Sequence, residues 1–217
     1  MFDDRTQAGR RLAARLGSLA GRNIVVFALP RGGVPVAAPI AERLSAPLDL
    51  VLVRKIGAPS QPELAIGAVT DGIEPECVFN QEIIRGLDVS QTEIDQISAR
   101  EKTEIERRRA LYLHDRPRVD ARGRILIVVD DGIATGATMK VALKALKRHE
   151  PARMILAVPV ASPEALADLK PLVDEVFCLE SSAYFPGVGA FYRDFPQVSD
   201  AEVIALLDHL PPPRAAG

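Results

Sequence analysis

Two adjacent carboxylates standing directly before a glycine- and threonine-rich turn are the residues of this chain best placed to do chemistry. They are Asp130 and Asp131, and the turn is Gly132-Ile133-Ala134-Thr135-Gly136-Ala137-Thr138. The apolar run before them reads as a buried strand and the residues after Thr138 as a helix. Acids at a strand's carboxyl end are costly to bury and need hydroxyl, cationic or metal partners. Thr-Gly-Ala-Thr leading into a helix offers free backbone N–H groups, two hydroxyls and the positive end of the helix dipole, a cradle for phosphate. Acids beside such a cradle would repel a bare phosphate. They fit a sugar whose hydroxyls sit over the acids while its phosphate reaches the cradle. No Gly-Lys-Ser/Thr follows, which excludes a P-loop, and the Rossmann glycine pattern is absent after the first apolar run.

Two other segments bring positive charge to strand ends. Leu29-Pro30-Arg31-Gly32-Gly33-Val34-Pro35 has two glycines that permit close backbone approach to an anion, and Arg31 adds charge. Val53-Arg54-Lys55-Ile56-Gly57-Ala58-Pro59, continuing to Leu64, reads as a mobile basic loop. Gly57 and the prolines at 59 and 62 are expected to deny it regular pairing. A fourth segment, Tyr184 to Phe195, gathers half of the chain's ten aromatics. There Phe185 could stack on a planar base, with Asp194 as a polar contact, or the aromatics could simply close the domain.

The elements that must position these residues alternate. Continuous apolar runs at Ile24–Leu29, Leu48–Val53, Arg124–Val129, Met154–Val158 and Glu175–Leu179 suit strands buried on both faces. Helical patterns lie at Asp4–Ala20, Val34–Leu44, Thr138–Arg148 and Pro163–Leu169, which argues for an open, mainly parallel α/β sheet flanked by helices. A long charged helix from Ser90 to Leu113, opened by a capping box of Ser90 and Glu93, interrupts the rhythm as a helical insertion. A last helix, Asp200–Leu210, has its own box in Ser199 and Glu202. The expected organisation is one domain over 1–210. Insertion and hood elements fall near 71–120 and 180–198, and 211–217 is a disordered tail.

The motifs together closely resemble the type I phosphoribosyltransferases. The Arg-Gly-Gly-Val-Pro-Val loop, the Pro-Glu-Leu-Ala segment and the inserted helix look most like a bacterial group within it. The resemblance implies that Asp130 and Asp131 hold ribose hydroxyls, while Thr135 to Thr138, including Gly136 and Ala137, wrap the 5-phosphate of phosphoribosyl diphosphate, with Gly132 and Ala134 among the substrate-binding residues. It also implies that Arg31, Gly32 and Gly33 bind the diphosphate leaving group, and that Arg54 and Lys55 close over it. The aromatic segment loosely resembles the base-binding hood of purine-salvage members, but the spacing from Gly189 to Asp194 is one residue longer. The 6-oxopurine branch carries an acid just before Thr-Gly. Here that residue is Ala134, which cannot exchange a proton.

The implied reaction is transfer of a 5-phosphoribosyl group to a nitrogenous base or other nitrogen nucleophile, with release of diphosphate. Magnesium is expected on substrate oxygens and water, without a protein cage of ligands. Two other readings are a non-catalytic sensor of phosphoribosyl diphosphate and an RNA-binding regulator. The second would use the stretch from Arg100 to Arg124, where nine bases face five acids. The net charge of −2 gives no electrostatic case for nucleic acid, and the interspersed glutamates fit a solvated helix face. No run approaches the roughly 18 apolar residues of a membrane span, and the N-terminus has acids where a signal peptide needs bases. A cytoplasmic protein is the default, and a homodimer is compatible with the sequence. Cys77 and Cys178 read as small buried hydrophobes, and the three histidines as helix-terminal residues.

Overall fold

A computed structural model describes residues 1–71, 76–114 and 116–211. The expected disordered tail lies, but for Pro211, outside these described residues. Helix α1 (Arg5–Arg15) leads into β1 (Ile24–Ala28), α2 (Gly33–Leu44) and β2 (Leu48–Leu50). Three strands follow, β3 (Val53–Ala58), β4 (Gln61–Thr70) and β5 (Glu76–Phe79), then α3 (Gln81–Gly86) and α4 (Gln91–Leu113). The chain closes with β6 (Ile125–Val129), α5 (Ala137–Lys147), β7 (Arg153–Ala161), α6 (Pro163–Leu169), β8 (Glu175–Ser181) and α7 (Asp200–His209).

Five strands form a wholly parallel sheet in the order β2-β1-β6-β7-β8. Its central strands β1 and β6 are apolar throughout because both faces are covered, whereas β2 carries Asp49, β7 begins with Arg153 and β8 carries Glu175 and Glu180. Val26, Ala28, Ile127 and Val129 face one core layer, which includes α2 residues such as Ile40 and Leu44. Val25, Phe27, Leu126 and Val128 face the other, against Met139, Leu143 and Leu146 of α5. From β1 the chain proceeds outward to β2, then returns to the other side at β6 and runs outward again. The β1–β6 boundary is therefore the topological switch, where loops at the strands' carboxyl ends diverge and ligands bind in such sheets.

The structure corrects the sequence reading between Val53 and Leu64. That segment is not an irregular loop but lies in an antiparallel hairpin of β3 with β4, extended by β5 into a second sheet. The prolines are accommodated, not avoided. Pro59 falls in the hairpin's tight connection, and register shifts on either side of Gly57 let the backbone pass Pro62. A Cβ on Gly57 would stand 2.3 Å from the Pro62 carbonyl oxygen, so only glycine allows that approach. The inserted part accordingly begins at Val53, earlier than the expected boundary near 71.

Helix α4 has the anticipated capping box, with Ser90 N–H donating to the Glu93 carboxylate at 2.9 Å and Glu93 N–H to Ser90 Oγ at 3.3 Å. Its Ile94, Ile105 and Tyr112 join Ile56, Ile66 and Val69 of the hairpin in the same apolar cluster as α2 and α7. Arg109, also on α4, spans two buried aspartates. It donates through Nη2 to Asp49 at 3.0 and 3.2 Å and through Nη1 to Asp71. Backbone N–H groups of Leu50 and Val119 reach Asp49 at 2.7 and 3.1 Å, and Leu52 N–H reaches Asp71 at 2.7 Å. This charged staple ties β2, the exit of β4 and α4 together. Cys77 and Cys178 are free and only partly buried. Among the described residues no helix is long and apolar enough to cross a membrane.

Candidate active site

Asp130 and Asp131 leave β6 immediately after Val129, and the glycine loop leaves β1 immediately after Leu29. Because β1 and β6 are paired in register, with Ala28 opposite Val129, the two loops start side by side. Their approach is so close that side chains are excluded. A Cβ on Gly32 would lie 2.0 Å from Asp131 Oδ2, and one on Gly33 would lie 2.8 Å from the Val129 carbonyl oxygen. The peptide between Pro30 and Arg31 is cis.

The acid pair is held asymmetrically. Asp131 Oδ2 accepts from Arg5 Nε at 2.7 Å, and its backbone carbonyl accepts from the Tyr192 hydroxyl at 2.5 Å. Asp130 Oδ1 accepts the N–H of Asp131 at 2.8 Å. Burial pushes the Asp130 carboxyl well above the usual carboxylate range, and the neighbouring charge of Asp131 adds to this. Burial also raises Asp131, opposed by the hydrogen bond and charge of Arg5. Burial raises the Tyr192 hydroxyl too, so it remains a donor.

Arg5 and Tyr192 were not singled out in the sequence. Arg5 donates a second bond to the Pro196 carbonyl at 2.8 Å and lies 3.6 Å over the Phe195 ring. Tyr192 packs between Phe2 and Phe195, with ring centroids 5.3 and 4.8 Å away. A signal for Arg5 existed: it falls on the same face of α1 as Ala8, Leu12 and Leu16, all buried. An arginine in an apolar stripe implies a buried acid somewhere in the fold.

The cradle beyond the acids is pinned to β7. Ile133 N–H donates to the Val160 carbonyl at 2.9 Å, Ser162 N–H returns to Ile133 at 3.0 Å, and Ser162 Oγ donates to the Ala134 carbonyl at 2.7 Å. Gly136 caps α5 with φ of +74°, a left-handed conformation that favours glycine. Thr135, Ala137 and Thr138 remain exposed around the first turn of α5. The free N–H groups and hydroxyls expected there are thus presented outward.

The two hairpin cations are sent to different places, because successive residues of a strand face opposite sides. Lys55 lines a cavity of about 330 Å3 between the hairpin sheet and Ala137, Thr138 and Val141 of α5. Arg54 turns toward α4, where its Nε donates to Glu101 at 2.5 Å. On the other side of the cradle, Phe185 lines an open cavity of about 520 Å3 together with Ala134, Thr135, Ser162 and Glu164. Phe185 itself leans on Phe191, centroids 5.1 Å apart. Asp194 is not brought into this cavity. Its N–H donates to the Asp3 carbonyl at 2.9 Å, part of a short pairing of residues 191–194 with the N-terminus. Phe185 thus lines this cavity without Asp194, which was expected beside it.

Residues 72–191 match the family model for the phosphoribosyl transferase domain. Over 209 residues the chain is 46% identical to a Mycobacterium tuberculosis protein named "Putative phosphoribosyl transferase Rv0571c". The alignment covers 96% of this chain and 46% of that protein, so the chain spans about half the relative's length. The crystal structure of TT1426 from Thermus thermophilus superposes with a TM-score of 0.82 at 43% identity, over 97% of this chain and 99% of that one. With acids, cradle and glycine loop assembled at one switch point, and with these matches, the chain belongs to the type I phosphoribosyltransferase family.

Proposed function

We propose that this protein transfers the 5-phosphoribosyl group of phosphoribosyl diphosphate to a nitrogen nucleophile and releases diphosphate. The observation that carries the reading is the incompletely satisfied pair Asp130–Asp131, wedged between the glycine loop and the exposed first turn of α5. Ribose hydroxyls would donate to the two carboxylates and relieve the burial that raises them. The 5-phosphate would occupy the cradle of Thr135 to Thr138, and the diphosphate would lie toward Gly32, Gly33 and Arg31.

In a transition state of oxocarbenium character, negative charge grows on the departing diphosphate. Arg31, the glycine-loop amides and Lys55 are the groups of this chain placed to stabilise it. Magnesium, carried on the diphosphate and water oxygens, would supply further charge neutralisation. Arg5 orients Asp131 and opposes the upward push of burial on its carboxyl, and the cavity beside Phe185 gives a flat acceptor an aromatic wall. Ala134 at that cavity provides no proton carrier, and Asp194 is not among the residues that line it. Hypoxanthine and guanine are therefore expected to be poor acceptors, since a general acid–base group contributes roughly a hundredfold to ten-thousandfold.

The test is diphosphate release from phosphoribosyl diphosphate and magnesium across a panel of adenine, orotate, uracil, hypoxanthine and guanine. Turnover with one of the first three, abolished in Asp130→Asn/Asp131→Asn, is the expected result. Failure of phosphoribosyl diphosphate to bind by calorimetry, or undiminished binding in the double variant, would overturn the reading.

A further inference from the structure

Beside the glycine loop lies a small cavity of about 80 Å3 that the family resemblance left unassigned on its α4 side. Three guanidinium groups line it: Arg31 from the loop, Arg54 from β3 and Arg108 from α4. The Tyr112 side chain and the Pro30 and Leu52 segments complete its wall. Every acid associated with these cations lies outside the set of lining residues. Asp200 stands 3.7 Å from Arg31 Nη1, Glu101 holds Arg54 Nε, and Glu104 holds Arg108 Nε at 2.8 Å. Among the described residues the Arg108 guanidinium donates only this Nε–H, which leaves its terminal nitrogens for another acceptor. The Tyr112 hydroxyl donates to Asp200 at 2.6 Å and feels the charges of both Arg108 and Arg31. A pocket of this size, walled by three cations with their counter-ions behind them, suits one tetrahedral oxyanion group.

We propose that Arg108 of the inserted helix is an anion-binding residue of the active site, completing with Arg31 and Arg54 a subsite for the terminal phosphate of the diphosphate group. The inference rests on the phosphoribosyl-transfer reading and adds a purpose for α4: it brings a cation to the site from outside the parallel sheet. Arg54 and Arg108 are meanwhile pre-oriented by Glu101 and Glu104, so little side-chain freedom is lost when the phosphate arrives. The subsite distinguishes a diphosphate-bearing sugar from a sugar monophosphate, which cannot reach it while its 5-phosphate fills the cradle.

Neighbouring Arg107 supplies the control. It shares Glu104, with Nε at 2.8 Å, yet it does not line the cavity. Arg107→Gln and Arg108→Gln therefore remove the same charge and the same acidic partner, the first from the exposed surface of α4 and the second from the half-buried wall of the cavity. Titration calorimetry of each variant with magnesium diphosphate, and separately with ribose 5-phosphate, reads the subsite directly. Arg108→Gln should weaken diphosphate about tenfold or more, as expected for a lost charge-assisted bond, and leave ribose 5-phosphate unchanged. Arg107→Gln should alter neither by more than about twofold. Equal effects of the two variants on diphosphate, or equal weakening of both ligands by Arg108→Gln, would overturn the assignment. If the parent protein binds neither ligand, the transfer reading falls together with it.

Discussion

Twice in this molecule two aspartates stand near one arginine, and the two groups are bonded to it differently. Asp49 and Asp71 flank Arg109, and three backbone N–H groups complete their hydrogen bonding. Among the described residues Asp130 and Asp131 have Arg5, which donates to Asp131, and the backbone N–H of Asp131, which donates to Asp130. Burial raises Asp71 as it raises the pair at the site, but Arg109 and the Leu52 amide counter it directly. For Asp130 the second carboxylate adds to the cost, and Arg5 acts from a distance. A buried charge cluster that is fully bonded fixes the packing of its elements, whereas one left short of donors is a receptor for them. The staple thus holds the hairpin and α4 to the parallel sheet, while under the proposed function the pair at the switch point would take its missing donors from ribose hydroxyls.

The largest effect should come from breaking the staple. Arg109→Met leaves two buried carboxylates unpaired and should cost about 3–5 kcal/mol in urea unfolding. A loss below about 1 kcal/mol would show that the cluster is not what joins the two sheets. Arg5→Met removes the partner of one acid only, and Asp131 can escape by binding a proton. Its cost should be nearer about 1–3 kcal/mol, accompanied by loss of most of the ligand-induced rise in Tm. Intact ligand stabilisation in this variant would contradict a role for Arg5 in holding Asp131.

Asp130→Asn should go the other way and stabilise the unliganded protein by on the order of 1 kcal/mol, because it relieves a buried repulsion. The sign has a pH signature. A carboxyl raised in the folded state binds its proton more tightly there than in the unfolded chain. The destabilisation is therefore absent below the unfolded value of about 3.9 and grows as pH rises through the higher folded value. The Tm gap between variant and parent should widen from about pH 4 upward, and a gap that narrows would refute the assigned shift. The smallest effect belongs to an ion pair of neither kind. Arg122 and Glu150 meet at 2.8 Å on the surface, and Arg122→Ala should leave Tm unchanged within error.

Much of the site was legible in the sequence because its parts are local. The acid pair, the cradle and the glycine loop are each written in consecutive residues, and each follows a run of apolar residues that can only be a doubly covered strand. Both capping boxes were readable for the same reason, since Ser90 with Glu93 and Ser199 with Glu202 bond across three residues. The hairpin was misread because Gly57 and Pro62 look like breakers in isolation. Only their mutual approach across the bulge makes them compatible with pairing.

What the sequence determined by itself was the parallel α/β class and which residues stand at the carboxyl ends of β1 and β6, because periodicity and turn composition act over a few residues. Apart from helix-local pairs such as Arg107 and Arg108 with Glu104, which cation meets which acid was decided by tertiary structure. Arg5 lies 126 positions from Asp131, Arg109 lies 60 from Asp49, and Arg54 lies 47 from Glu101. Charges act through space and carry no directional pattern along the chain. Their partners are fixed only when strand order brings β1 beside β6 and packing lays α4 across the hairpin.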